Sequence, residues 1–224
     1  SRVDFLNWSI WAAGAFDYPA DRVGLTYGIT AELNQEQWAA RVGYFLIGNQ
    51  PNANVFDMAL FSRGGYVGEL ELRYQPFGKK GVAKFGSWLT SSFAGSYNDA
   101  VALALATGAP ASDTIAQTRQ GRTKYGFYLN LQQDITDELG AFGRFSWNDG
   151  RSEISAFTDI DQSLSLGVQL KGMAWGRPDD RIGLAGAWNT ISSDHSRFLA
   201  AGGLGVLVGD GRLTDAAETV VEAF

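Results

Sequence analysis

Residues 66–77, YVGELELRYQPF, divide into two faces when every second position is taken. Leu70, Leu72 and Tyr74 fall on one side, and Glu69, Glu71, Arg73 and Gln75 on the other. Period two is the signature of a β-strand, because successive side chains leave opposite sides of the pleat. The wet side is almost wholly charged, with both signs present. Such a strand suits a sheet with one face in solvent, or the wall of a water-filled barrel. The same alternation recurs along the chain. Residues 23–33 set Leu25, Tyr27, Ile29, Ala31 and Leu33 against Thr26, Thr30 and Glu32, and residues 36–47 set Trp38, Ala40, Val42, Tyr44 and Leu46 against Gln37, Arg41 and Gly43. Residues 82–97 place Phe85 and Leu89 opposite Lys84, Trp88 and Thr90. Residues 124–133 place Tyr125, Phe127, Leu129 and Leu131 opposite Lys124, Tyr128, Asn130 and Gln132. Residues 139–148, 163–174 and 182–192 follow the rule, and residues 216–224 give a last candidate strand. Residues 3–15 open the series, with Leu6, Trp8, Ile10 and Ala12 against Asn7 and Ser9.

That makes about ten strands, each near the ~9–11 residues that a tilted strand needs to cross a bilayer's hydrocarbon. Their connections follow an order. Residues 34–35, 78–81, 134–138 and 176–180 are tight turns, rich in Gly, Asp, Asn or Pro. Between them lie longer stretches: 48–65, 98–123 with a short helix near 99–106, 149–162, and 193–213 with a helical turn near 197–201. Strict alternation of short and long is the layout of an up-and-down barrel in an outer membrane, and a Greek-key sandwich has no reason to show it.

Composition sets further bounds. Of 224 residues, 45% are hydrophobic, 13% aromatic and 28 are Gly, which favours strands and tight turns. Net charge is −6 with no basic patch, which argues against nucleic acid as a partner. Cysteine is absent, so no disulfide or thiolate metal site is available. No apolar run reaches the ~18–20 residues of a membrane-spanning helix. The mean hydropathy of −0.11 is that of a water-soluble chain, but a membrane barrel averages to such a value because only alternate residues face lipid. Alternation alone does not say whether the oily face is a soluble core or a lipid surface. Tyr27, Trp38, Tyr44, Tyr74, Phe85, Tyr125, Trp147 and Trp188 all fall on the oily face, several near strand ends, where interfacial aromatic girdles lie.

Residues 176–211, GRPDDRIGLAGAWNTISSDHSRFLAAGGLGVLVGDG, resemble the carbohydrate-selective porin family, often called OprB-type. The features are the turn Arg177, Pro178, Asp179, Asp180, the Gly-rich strand after it, and the glycines at 202, 203, 205, 209 and 211. FTDID at 157–161 and the GELELRYQ strand also fit. The resemblance implies a transmembrane antiparallel β-barrel of the bacterial outer membrane, of about sixteen strands, passing sugars and other small hydrophilic solutes by passive diffusion. It implies outer-membrane lipid as surroundings and, by fold-level analogy, a homo-oligomer. Ten strands fall short of sixteen, so residues 1–224 are expected to form a single, incomplete barrel domain, as a fragment or a partly traced chain. Glu218 and Glu222 are read as interrupting the alternation that leads to Phe224.

No enzyme, cofactor or metal is expected. His195 is the single histidine, and its neighbours Asp194 and Ser196 cannot supply triad geometry from adjacent positions, so it reads as a polar loop residue. Asp17 with Asp21, Asp159 with Asp161, and Asp179 with Asp180 offer oxygen ligands without the spacing of a calcium loop. The site expected to matter is the wet face itself: Arg41, Glu69, Glu71, Arg73, Lys84 and Arg144 as pore-lining, solute-contacting residues. Rings of charge and pore width set selectivity, and transit requires weak, replaceable contacts. A soluble β-rich binding or structural protein is the competing reading.

Overall fold

The computed structural model describes residues 4–156, 158–206 and 216–224. Phe157 and the glycines at 209 and 211 lie outside the described residues. Among the described residues, nine strands form one sheet in sequence order, each antiparallel to the next: β1 (Gly28–Asn34), β2 (Trp38–Phe45), β3 (Gly64–Tyr74), β4 (Gly81–Ala94), β5 (Gln120–Asp134), β6 (Leu139–Asn148), β7 (Gln162–Lys171), β8 (Arg181–Thr190) and β9 (Glu218–Ala223). The meander is uninterrupted, and β1 and β9 are its two open edges. Short turns at residues 35–37, 75–80, 135–138 and 172–180 lie at one end, and the described residues of the longer connections, 46–63, 95–119, 149–156, 158–161 and 191–206, at the other. No helix among the described residues is long and apolar enough to cross a membrane.

The register fixes which side chains share a face. Tyr44, Tyr66, Leu89 and Tyr125 stand in one cross-strand row, and Leu70, Phe85, Leu129, Phe145, Leu164 and Trp188 in another. This apolar face is open to its surroundings: Phe85 is 53% exposed, Leu166 58% and Leu184 55%. The opposite face is polar, and much of it is covered. Glu71, Arg144, Ser146, Ser165 and Asn189 are buried there. A water-soluble sheet buries its oily face. Here the arrangement is reversed, as lipid surroundings require.

The polar face is covered from within the chain. Residues 4–21 do not form the strand that their alternation suggests. They make a single helical turn, α1 (Trp8–Trp11), and then run as irregular backbone across the polar face. The Asn7 side chain accepts the Ser9 N–H and caps the turn. Backbone laid over a sheet face has no ladder to pair with, so wall side chains satisfy it. Both Glu222 carboxylate oxygens accept N–H groups, from Leu6 at 2.7 Å and Asn7 at 2.9 Å. Ile10 C=O accepts from Arg144 Nη1 (2.9 Å) and Ser165 Oγ (3.1 Å). Ala15 N–H donates to Ser146 Oγ, and its C=O accepts from Asn148. Ile10 and Phe5 bury themselves against Ala185 and Ala187, where small residues leave room. Glu218 and Glu222 belong to this face, so they do not break the alternation of β9. Thr219, Val221 and Ala223 hold the other face, paired with Trp188, Gly186 and Leu184.

The long connections build a small helical cap from α2 (Tyr97–Thr107), α3 (Ala111–Thr114) and α4 (Ser193–Ala200) around Tyr97, Ala100, Ile115, Phe198 and Leu199. Ser96 and Ser192 cap their helices by accepting N–H groups of the first turn, and Gly108 ends α2 with a φ of 72°. β5 begins at Gln120, earlier than its alternation alone suggests, because it pairs with β4 as far as Ala94.

Leu129→Arg, a cation placed on the open apolar face at mid-strand, should destabilise the barrel by about 2–4 kcal/mol in lipid. Gln132→Arg, on the polar face of the same strand, should cost far less. Denaturant unfolding in vesicles, followed by heat-modifiable gel migration, measures both; equal costs would contradict the face assignment.

Candidate functional site

One transverse row of the polar face reads Glu32, Arg41, Glu69, Gly86, Tyr128 across β1 to β5. The next reads Ala39, Glu71, Lys84, Asn130, Arg144 across β2 to β6. Three carboxylates and three cations from these rows and their neighbour Arg73 form one connected network. Arg41 contacts Glu32 (2.5 Å), Glu69 (2.7 Å) and Glu71 (2.8 Å). Arg73 reaches Glu71 at 2.7 Å and anchors its other nitrogens on Gln35 C=O and Asn34 Oδ1 in the β1–β2 turn. Lys84 Nζ lies 3.1 Å from Glu71 and 3.7 Å from Glu69. Glu71 sits at the centre, buried, with three cations on its two oxygens. Guanidinium forks and partial burial make these contacts stronger than exposed ion pairs, whose worth is commonly below ~1 kcal/mol.

Five of the six residues singled out in the sequence therefore meet: Arg41, Glu69, Glu71, Arg73 and Lys84. Arg144 does not join them. It lies two strands beyond Lys84, buried beneath the N-terminal segment, with its guanidinium 4.4 Å above the Phe142 ring. Sequence reasoning misses two residues. Glu32 is visible only as the last polar position of its strand, and its place opposite Arg41 depends on register. Tyr128 donates its hydroxyl to Glu69 Oε2 at 2.8 Å from two strands away. It does so by lying flat across Gly86, where a Cβ would stand 2.1 Å from the Tyr128 ring.

His195, read from the sequence as a polar loop residue, lies in α4 and is fully buried. Its Nδ1 lies 3.1 Å from Asp161 Oδ2, its Nε2 4.0 Å from Asp159 Oδ1, and its ring stacks on Tyr97 at 4.4 Å and 13°. Asp161 also accepts the Ser192 N–H at 2.7 Å, so one carboxylate joins the β6–β7 and β8–β9 connections. Burial pushes the Asp161 carboxyl up, but the His195 hydrogen bond, the Lys124 charge and the Ser192 N–H outweigh it and hold it below the ordinary carboxylate value. Asp17 accepts from Ser155 N and Oγ, and Asp180 pairs with Arg177. These aspartates thus have protein partners. Arg119 makes a two-pronged contact with Glu153 at 2.8 Å and ties the β4–β5 connection to the same cap.

A family model described as carbohydrate-selective porin, OprB family, matches residues 1–224. The chain belongs to the OprB family. A solved structure titled as the high-pH structure of Pseudomonas putida OprB shares the fold with a TM-score of 0.61 at 18% identity. The match covers 79% of this chain and 42% of that one, so the chain spans less than half the length of its solved relative. No curated protein matches. The fold is thus the transmembrane up-and-down antiparallel β-barrel of the OprB porins, seen here as nine strands of its wall, and the polar face is its lumen side.

Gly86→Ala should drive Tyr128 off Glu69 and cost about 1–3 kcal/mol through overpacking; a shift in the unfolding midpoint that Tyr128→Ala in the same chain abolishes would verify the coupling. Asp161→Asn should loosen the cap by about 2 kcal/mol, read as faster hydrogen exchange of the α4 amides. Because its folded pKa is depressed, Asp161 supports the cap fully above the ordinary value near ~4 and loses that effect as pH falls through the lower folded one. Acidification should therefore open the wild-type cap and leave the Asp161→Asn variant without that response. Cap opening that does not depend on pH in either protein would disprove the linkage.

Proposed function

We propose that residues 1–224 form one continuous part of a single outer-membrane barrel that admits sugars and other small hydrophilic solutes by passive diffusion. The mixed-charge network of Arg41, Glu69, Glu71, Arg73 and Lys84, with Glu32 added, acts as its polar wall. Arg144 contributes through the N-terminal segment that it holds. The observation carrying this reading is the balance of the network. Three carboxylates against three cations leave no net sign, so neither cations nor anions gain a strong preference. The same groups are dense in donors and acceptors. A sugar hydroxyl both donates and accepts, and can exchange for a water at any of them. Contacts of this kind are weak and replaceable, as permeation needs. The apolar face meets outer-membrane lipid. OprB-family membership supports a channel rather than an enzyme.

The competing reading, a soluble β-rich binding or structural protein, has to account for an open apolar face that runs across nine strands. Patches of that extent on soluble proteins are interaction surfaces or liabilities.

Planar-bilayer recording of the protein extracted from outer membranes tests the proposal. Stepwise conductance that glucose reduces is expected. Arg73→Ala removes one cation and leaves Glu71 with one partner fewer, so the reversal potential in a salt gradient should move towards cation preference and glucose block should weaken. Absence of conductance steps would remove the channel reading. Unchanged selectivity and block in Arg73→Ala would remove the role of the network while leaving the channel.

A further inference from the structure

The cap rests on a cluster of ionisable groups that is separate from the wall network. Asp17 comes from the N-terminal segment, Lys124 from β5, Asp149, Asp159 and Asp161 from the β6–β7 connection, and His195 from α4. Asp149 is half-buried and the other five are buried. His195 joins Asp161 at 3.1 Å and lies 4.0 Å from Asp159. Lys124 donates to Ser152 C=O at 3.1 Å, and its charge acts on Asp17, Asp149 and Asp161 together. Four carboxylates thus face one lysine and one histidine. The remaining neighbours do not restore the balance. Arg151, whose charge acts on Asp149, is exposed. Glu153 is taken up by Arg119. Tyr97, from α2, contributes an uncharged phenol stacked on the His195 ring.

Excess charge held away from water is costly, and buried groups relieve it by changing their protonation. Three atoms show where this cluster is incomplete. Asp149 Oδ1, Asp161 Oδ1 and His195 Nε2 are each buried without a hydrogen-bond partner among the described residues. Buried polar atoms in native proteins are almost always satisfied, and an exception needs a cause. A neutral imidazole donates from one nitrogen only. With Nδ1 turned to Asp161, Nε2 offers nothing to the Asp159 carboxylate until the ring takes a second proton. Burial pushes the Asp17 and Asp149 carboxyls up, in each case against the Lys124 charge. No group of His, Asp and Glu among the described residues is arranged to hold a metal ion, so protons are the counter-charge that the geometry admits.

We infer that this cluster is a proton-operated latch, which takes up protons as pH falls and then binds the N-terminal segment and the cap more tightly together. The inference does not depend on which solute passes the channel. The groups interact, so the midpoint of the uptake belongs to the cluster and not to one residue. The sign follows from the two raised carboxyls. A group whose folded pKa is raised adds stability below its ordinary value near ~4 and loses that effect as pH rises through the raised value. Asp161 acts in the opposite sense, and only below ~4. The cap is therefore tightest just above that value and loosens on either side.

Hydrogen exchange of the full-length protein in lipid vesicles, followed from pH 8 to pH 5 and corrected for intrinsic exchange rates, tests the latch. Protection of the α4 amides and of residues 10–21 should rise together as pH falls, by about tenfold per pH unit at most for each proton taken up, while the central amides of β5 stay unchanged. Asp17→Asn and His195→Gln should each flatten the rise. Wild-type protection that stays constant or falls over this range would overturn the latch. A rise in α4 alone or in the segment alone would do the same, because the two would then not be joined. So would a rise of undiminished slope in both variants. Should either variant fail to fold, Asp149→Asn, which lies nearer to solvent, takes its place: a flatter rise supports the latch, and an undiminished one rejects it.

Discussion

Every backbone polar group that meets hydrocarbon must be hydrogen-bonded within the protein, because lipid offers no partner. An antiparallel meander in which each strand pairs with both neighbours meets that demand along the wall, and this chain keeps the order across nine strands. The rest follows from the pleat. A wall of single strands has two faces, one for lipid and one for the lumen, so polarity must change at every residue. The reversed burial of this sheet, with Leu166 and Leu184 open and Arg144 and Glu71 covered, is that requirement expressed in side chains.

The lumen face has the opposite difficulty. Six charged side chains crowded on four strands would repel or collapse if their signs were unbalanced. Pairing removes the problem and fixes their positions. Arg41 spans three carboxylates, and Arg73 is held by turn carbonyls as well as by Glu71. Small residues determine where side chains can lie flat. Tyr128 crosses Gly86, and Phe5 with Ile10 fill the space left by Ala185 and Ala187. The N-terminal segment is bound by the same logic in reverse. Its backbone lacks strand partners, and Glu222, Arg144, Ser165, Ser146 and Asn148 supply them.

Much of this is legible in the sequence because period-two alternation is a direct consequence of the two solvents. Alternation places β6 at its observed limits, the helix expected near residues 99–106 lies within α2, and the wet-face set Arg41, Glu69, Glu71, Arg73 and Lys84 follows from alternation, while its orientation towards a lumen comes from the family resemblance. Residues 4–15 mislead for a physical reason. Leu6, Trp8, Ile10 and Ala12 alternate with polar neighbours, yet Ile10 serves an internal surface of Phe142, Ala185, Ala187 and Val220, not lipid. The contrary signal is Asn7 before a Trp-Ser-Ile-Trp run, a helix cap rather than a strand start. Glu32 and Tyr128 lie on the expected face but cannot be joined to the network without register, since cross-strand partners are far apart in sequence. The burial of His195 depends on three separate connections converging, which no local pattern announces.

In the channel proposed above, the charge network would govern how polar solutes are received. A balanced charge network lowers the cost of bringing any neutral, hydroxylated molecule out of bulk water, because it replaces water's hydrogen bonds without favouring an ion. By itself it cannot distinguish one polyol from another, since each donor or acceptor sees only a hydroxyl. Beside the network, aromatic rings are held edge to edge by Phe16. Tyr128 belongs to β5, but Phe16 and Tyr18 sit on the N-terminal segment, and that has a consequence. A strand residue can point only to lumen or lipid, whereas a segment lying across the wall presents side chains along it. The segment is tied to the wall by Arg144, whose Nη1 donates to Ile10 C=O. Arg144 thus fixes the position of the segment, and with it that of the rings the segment carries.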